Sequence, residues 1–276
     1  MSTRTRVPSG GVIPSDVAYQ ARYACAAGPE PFPESGAQRI VEPTFVFYLT
    51  PMPTVTFVED LTFAPAEAAS AVESVRALLV EHGRTQSAWN LPASSPLVGA
   101  LTDLGLTPYT DPPLGPTSTA MALVTPPLGA AGPGVVVREA STLEDFVANG
   151  ELSAELFDMT GEDREGMISG LRRRYELKQA GRTTMRTYLA YVDGELVGEA
   201  QSSDTAYGTN LSGSSVRPSA RGRGVYRAFV AARWEAAVAR GLPALTVQAG
   251  DMSAPILAGL GFEVVDEMVL LCDRVP

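Results

Sequence analysis

Histidine, cysteine and lysine are nearly missing from this chain of 276 residues, which holds one His, two Cys and a single lysine, Lys178. One histidine leaves no Ser-His-Asp hydrolase to build, and a zinc site of His and Cys ligands lacks its residues. His82 stands before Gly83 at the end of a predicted helix, the place of a C-terminal cap rather than of a catalytic base. Cys25 and Cys272 lie at opposite ends of the chain and make no disulfide framework, so a reduced, cytoplasmic protein is the expectation. Long apolar runs are absent too. No stretch reaches the ~18 residues of a membrane span, and the opening MSTRTRVPSGGVIPSD has no apolar core of a secretory leader. Positive charge is also in deficit: 21 Lys plus Arg against 31 Asp plus Glu leave a net charge of −10. That argues against nucleic acid as a partner, because its binders carry a basic face. The acidity reads as a solvated surface; an acidic cleft that attracts a cationic amine is the alternative.

What is present is apolar mass and a repeated rhythm. Hydrophobic residues make up 45% of the chain, enough for a core in one large or two small domains at the usual ~100–200 residues per domain. The clearest break is Pro126–Gly134 (PPLGAAGPG), whose Pro, Gly and Ala read as a linker. Before it, Phe45–Thr50 and Thr54–Glu59 predict strands, Ala66–His82 a helix, Thr85–Asn90 a strand and Pro96–Leu104 a short helix, with one more strand before the break. After it come a strand at Val135–Glu139 and helices at Leu143–Phe157 and Glu162–Ala180. Strands follow at Met185–Val192, Glu195–Ser203 and Thr209–Val216, with Asp193-Gly194 as a hairpin turn. A helix at Val225–Arg240, carrying Val225, Phe229, Ala232 and Ala236 on one stripe, leads to a strand at Ala244–Gln248 and a helix at Ala254–Leu260. The ends of the two halves match: Gly83 through Trp89 to Leu104-Gly105-Leu106, and Gly241 through Val247 to Leu260-Gly261-Phe262. The glycine spacings are 22 and 20 residues (105 − 83 and 261 − 241). An internal duplication follows. Residues 1–40 are too rich in Pro and Gly to assign.

The chemistry concentrates in Thr209–Phe229, TNLSGSSVRPSARGRGVYRAF. A strand ends at Val216, Pro218 turns the chain, and Arg221-Gly222-Arg223-Gly224 runs straight into a helix. The first N–H groups of a helix have no internal partner and sit at the positive end of its dipole, so this turn is an anion site. Gly222 and Gly224 remove side chains that would hold a phosphate off and permit a concave nest of amides. Arg221 and Arg223 add charged donors. The segment lacks the Gly-Lys-Ser/Thr of a nucleoside-triphosphate loop, and Arg227 stands where a dinucleotide fingerprint would need its third glycine.

Arg221–Tyr226 resembles the signature Arg/Gln-x-x-Gly-x-Gly/Ala of the GCN5-related N-acetyltransferases, with Tyr226 where Gly or Ala is usual. Val216-Arg217-Pro218-Ser219-Ala220 before it and Leu260-Gly261-Phe262 after it are also similar. The resemblance covers residues 134–276. It implies an α/β fold of two such domains, each a mixed, largely antiparallel central sheet flanked by helices: a degenerate one over 1–125, a linker over 126–133, and an acetyl-CoA-binding one over 134–276. It further implies that Arg221, Gly222, Arg223, Gly224, Val225 and Tyr226 hold the coenzyme A pyrophosphate and that Val216 contacts the pantetheine arm. The Ser214 amide would face the thioester oxygen, and no metal takes part. The reaction would be direct attack of a neutral amine, carried by a small molecule, on acetyl-CoA as co-substrate.

Three residues depart from that pattern. Leu257 stands where many members carry a tyrosine that protonates the departing thiolate, and Asn210 where a strand carboxylate serves as base. Asn210 would hold a water at best, and Glu199 and Asp204 are the nearest carboxylates. Tyr226 either reshapes the pyrophosphate site or lies along the helix flank. In the first half Phe63-Ala64-Pro65-Ala66 falls opposite Arg221–Gly224; it has no glycine, and Pro65 has no amide hydrogen, so the anion nest is lost there. A non-catalytic acyl-CoA-binding or sensing module is the alternative to an enzyme.

Overall fold

The computed structural model describes residues 11–52, 54–111 and 114–275. The opening ten residues, part of the segment without a leader core, lie outside them. Two short helices come first, α1 (Ser15–Arg22) and α2 (Ala24–Ala27). A meander of β1 (Gln38–Glu42), β2 (Phe45–Leu49) and β3 (Thr56–Glu59) follows. Then come α3 (Ala68–Glu81), β4 (Gln86–Pro92), α4 (Leu97–Asp103), the two-residue β5 (Thr107–Pro108) and β6 (Thr117–Leu123). Past the Pro/Gly segment lie β7 (Val135–Glu139), α5 (Leu143–Leu156), α6 (Gly161–Gln179), β8 (Met185–Val192), β9 (Glu195–Asp204) and β10 (Thr209–Val216). The chain closes with α7 (Val225–Ala239), β11 (Leu245–Ala249), α8 (Ala254–Gly259) and β12 (Glu263–Arg274). Among the described residues no helix is long and apolar enough to cross a membrane.

Local chemistry accounts for these boundaries. The β8–β9 turn places Asp193 at φ 53° and Gly194 at φ 86°, the left-handed pair whose twist suits a two-residue hairpin. Helix α3 buries Ala68, Ala71, Val72, Val75 and Leu79 at helical spacing, with roughly 1.5–3 kcal/mol from each fully buried Val or Leu. It ends where Gly83 turns to φ 62°. His82 is its C-cap.

The strands form one sheet in the order β1-β2-β3-β4-β12-β6-β11-β10-β9-β8-β7, with β5 alongside β12. Its centre is an exchange. Strand β6 pairs with β11, β12 pairs with β4, and β6 and β12 pair with each other. Each half thus supplies a strand that extends the other's sheet. The duplicated plan extends to single residues. Ala88 and Thr246 each lie five residues past the helix-ending glycine (88 − 83 and 246 − 241), and each pairs in parallel with the strand before it, at Phe57 and Asn210. Three residues beyond those partners both chains go left-handed, at Asp60 (φ 56°) and Gly213 (φ 41°).

One core of Phe47, Val75, Leu79, Trp89, Leu101 and their neighbours fills the first half. In the second half successive strand residues point to opposite faces. Tyr188, Ala190, Val197 and Ala200 pack with Phe229 of α7, while Leu189 packs with Phe146 of α5 and Leu171 of α6 on the other face. Helix α7 buries Val225, Ala228, Phe229, Val230, Arg233, Trp234 and Ala237, a stripe rotated from the expected one, since Ala232 and Ala236 are partly exposed.

Candidate active site

The site begins with a parting of strands. β10 and β11 pair in parallel only at Thr209–Leu245 and Asn210–Thr246; beyond them β10 stays bonded to β9 alone through Val216. Gly213, at φ 41°, is an extra residue between Ser212 and Ser214 that bulges β10 against β9, a device that re-aims backbone beside active sites. Past the bulge, the Arg217 N–H donates to the Val197 carbonyl of β9 at 2.8 Å. Residues of a paired strand aim their N–H groups alternately to either side, so those of Ser214 and Val216 face the edge that β11 has left open.

The turn after β10 supplies the second wall. The N–H groups of Arg221 and Arg223 are used by the Pro218 and Ala220 carbonyls at 3.3 and 3.4 Å, whereas the first-turn amides of α7 have no intrahelical acceptor. Gly222 (φ 77°) and Gly224 (φ 81°) are both left-handed. A Cβ on Gly222 would meet nothing within 4 Å, but one on Gly224 would lie 2.7 Å from the Gly132 nitrogen. The two glycines therefore have different tasks: Gly222 leaves the mouth of the turn open, and Gly224 admits Gly132 of the Pro/Gly segment behind it. Conversely, a Cβ on Gly132 would fall 1.8 Å from the Arg223 carbonyl oxygen.

Strand edge, turn and helix enclose a cleft of about 740 Å³, whose lining includes Ser214, Val216, Arg221, Gly222, Gly224 and Tyr226. Its remaining walls are Leu156 and Phe157 at the end of α5, and Met252, Ser253 and Ile256 at the start of α8. Arg227 also lines it. In the sequence Arg227 only excludes a dinucleotide fingerprint; its place in the first turn of the helix is the signal for a role in the cleft. No carboxylate is among the lining residues, so the acidic balance of the chain resides elsewhere. Arg221 reaches the Val216 carbonyl with Nε at 3.4 Å. Arg223 is directed away from the cleft, to Asp193 of the hairpin at 2.9 Å. Tyr226 lies along the helix flank, packed against the core of Val230, Leu257 and Phe262. Burial raises its phenol pKa above the ordinary value.

The candidate acid–base residues are dispersed. The Asn210 Oδ1 accepts from Thr246 Oγ1 at 3.2 Å, where the strands still pair, and Asn210 does not line the cleft. Asp204 is engaged by Arg186 at 2.7 Å and Arg240 at 3.3 Å. Glu199 is buried, with Oε2 unpartnered, and stands across the β9–β10 ladder from Ser215. Burial raises its pKa against the opposing charge of Arg174. Leu257 is fully enclosed in the core. The hydroxyl-bearing residues of the lining are Ser214, Ser215, Tyr226 and Ser253. Among the described residues no group of three or more His, Cys, Asp or Glu is placed to hold a metal ion.

In the first half the matching region is closed. Glu59, the last residue of β3, is buried; its Oε2 accepts from the N–H groups of Cys25 and Ala26 at 3.0 and 2.9 Å, and its Oε1 from Asn90 at 3.2 Å. Burial outweighs those donors and raises its pKa to about 7. The α1–α2 segment is thereby tied over the end of β3.

No protein-family model and no curated protein matches the sequence. Solved structures do. A GCN5-related N-acetyltransferase from Kribbella flavida is 16% identical with TM-score 0.63, over 93% of each chain. A tandem GNAT protein from the clavulanic acid biosynthesis pathway is 17% identical with TM-score 0.61, over 96% of this chain and 90% of that one. A GCN5-related N-acetyltransferase from Sphaerobacter thermophilus is 18% identical with TM-score 0.58, over 98% and 97%. The fold of this chain is therefore that of the tandem GCN5-related N-acetyltransferases.

Proposed function

We propose that the chain is an acyltransferase that moves acetyl from acetyl-CoA to the amine of a small molecule. The observation that carries this reading is the open edge of β10, with the Ser214 and Val216 amides free beside the Arg221–Tyr226 turn. Such an edge offers a pantetheine arm a strand to pair with, and the α7 amides with Arg221 and Arg227 offer its pyrophosphate charge-assisted donors. Leu156, Phe157, Met252 and Ile256 supply the apolar surface for the chain between. Residues 1–125 act as a degenerate partner domain, joined through 126–133 to the binding domain at 134–276.

In this reading the acceptor nitrogen attacks the thioester carbon. The N–C bond forms as the C–S bond breaks, the nitrogen gives up a proton, and the thiolate takes one. The Ser214 N–H stabilises the oxygen as it becomes negative. Glu199, or a water held near Asn210, receives the proton; burial raises the Glu199 pKa above the ordinary carboxylate value, which makes it a stronger base once ionised. Titration calorimetry with acetyl-CoA tests the claim, and thiol release across a panel of small amines tests the reaction. Failure to bind acetyl-CoA overturns it. The burial of Leu257 and the engaged carboxamide of Asn210 favour a second reading, an acyl-CoA sensor. That reading predicts binding with no thiol release.

A further inference from the structure

Helix α7 carries an arginine where a core residue belongs. Arg233 is 1% exposed and lies under β9 and β10 on the face opposite Glu199, among Tyr188, Ala200 and Phe229. Its Nε donates to the Phe229 carbonyl at 3.0 Å. Its Nη1 donates to the Gln201 carbonyl at 3.1 Å and to Ser214 Oγ at 3.3 Å. Gln201 and Ser214 flank the bulge, since Gln201 faces Ser212 across the ladder and Ser214 faces Ala200. The guanidinium thus supplies a donor at the point where the extra residue interrupts pairing. Nη2 has no partner, nor do the hydroxyls of Tyr188 and Ser202. No carboxylate of the described residues pairs with Arg233; the groups that face it are the phenols of Tyr226 and Tyr188. Burial lowers its pKa to about 10, so it is still a cation at neutral pH. A buried charge without a counter-ion is costly.

We infer that Arg233 is a positioning residue of the transfer site. It locks the β10 bulge so that the Ser214 amide faces the thioester, and it sets an uncompensated positive charge behind that amide, where the thioester oxygen becomes negative. The inference rests on the acyl-CoA reading above. It is tested on the full chain with acetyl-CoA carrying carbon-13 in its carbonyl, by difference infrared spectroscopy, beside calorimetry and thermal unfolding. Wild type and Arg233→Lys are expected to shift the carbonyl band below that of free acetyl-CoA, whereas in Arg233→Met the shift is lost. The Met variant is also expected to melt no lower than wild type, since replacing an unpaired buried charge by an apolar side chain removes a desolvation cost. A full wild-type shift in Arg233→Met overturns the inference. So does a loss of shift accompanied by a lower midpoint that Arg233→Lys does not restore, because Arg233 is then structural. Acetyl-CoA binding to wild type without a band shift sinks this inference alone; no binding at all removes the acyl-CoA reading beneath it.

Discussion

Gly132 lies in the Pro/Gly segment before β7, outside the cleft, yet its replacement by alanine is expected to damage acetyl-CoA binding. The added Cβ would stand 1.8 Å from the Arg223 carbonyl oxygen and 2.8 Å from its carbon. Non-bonded heavy atoms need about 3 Å or more, so that segment or the loop must yield by more than ~1 Å. A shift of that size misaligns the amides that follow Arg223, and hydrogen bonds weaken steeply when bent. Bonds to charged groups contribute about 1.5–3 kcal/mol each, so misplacing one or two costs roughly 2–4 kcal/mol, some 30- to 800-fold in Kd. Gly222→Ala is the control. Its Cβ meets no atom within 4 Å, so its cost is the left-handed backbone, about 1–2 kcal/mol of local stability. Calorimetric titration of both variants with acetyl-CoA, checked by circular dichroism, separates the two effects. Wild-type affinity in Gly132→Ala, with an unchanged fold, would refute the idea that this segment buttresses the loop.

Four further outcomes follow from the same geometry. Arg221→Ala and Arg227→Ala should each weaken acetyl-CoA about tenfold at low salt, and less as salt screens the charge; Arg223→Ala, whose guanidinium is spent on Asp193, should weaken it least in the same titrations. Leu257→Tyr should restore no turnover and lower stability by about 1–3 kcal/mol through overpacking, because that position is sealed in the core; a gain in thiol release would contradict this. A base works ionised, so amine-dependent thiol release should rise as pH climbs through the raised pKa of Glu199, and Glu199→Gln should lose that limb of the profile. Glu59 carries a linkage of opposite consequence for stability. A carboxyl raised from 4.5 to about 7 contributes fully below pH 4.5 and loses its contribution as pH climbs through 7, so Glu59→Gln should gain on wild type in thermal unfolding progressively between pH 4.5 and 7 and keep that gain above it.

How much of this could be read in advance depended on whether the signal was local. The bounds of β8 enclose its Thr, Tyr and Val residues, and the Asp193–Gly194 turn announces itself through its φ requirements. The strand–turn–helix junction at Val216–Val225 is legible for the same reason: Pro218 and the glycines act within a few residues. The exchange of β6 and β12 is not local, because each pairs with a strand of the other half and nothing in either segment names its partner. Helix α1 is hard to read in the sequence because, beside Val17 and Ala21, part of its fastening is polar. Gln20, fully buried, donates to Thr246 Oγ1 at 2.7 Å, and a glutamine in a Pro- and Gly-rich stretch reads as surface. Arg233 is hidden in the same way, since charged residues are expected outside and an apolar stripe on α7 leaves it out. The two loop glycines, equal in the motif, proved unequal in space because Gly132 approaches only one.

In the proposed function a diphosphate-bearing acyl thioester lies along the open edge of β10 and under the α7 amides. Amide hydrogen exchange of the full chain, measured with and without acetyl-CoA, reports on those N–H groups directly. New protection is expected at Ser214, Val216, Gly222 and Gly224–Arg227, with none across β3 or the Phe63–Ala66 turn of the first half. Unchanged exchange at Ser214–Arg227 under saturating acetyl-CoA, or protection confined to the first half, would contradict it.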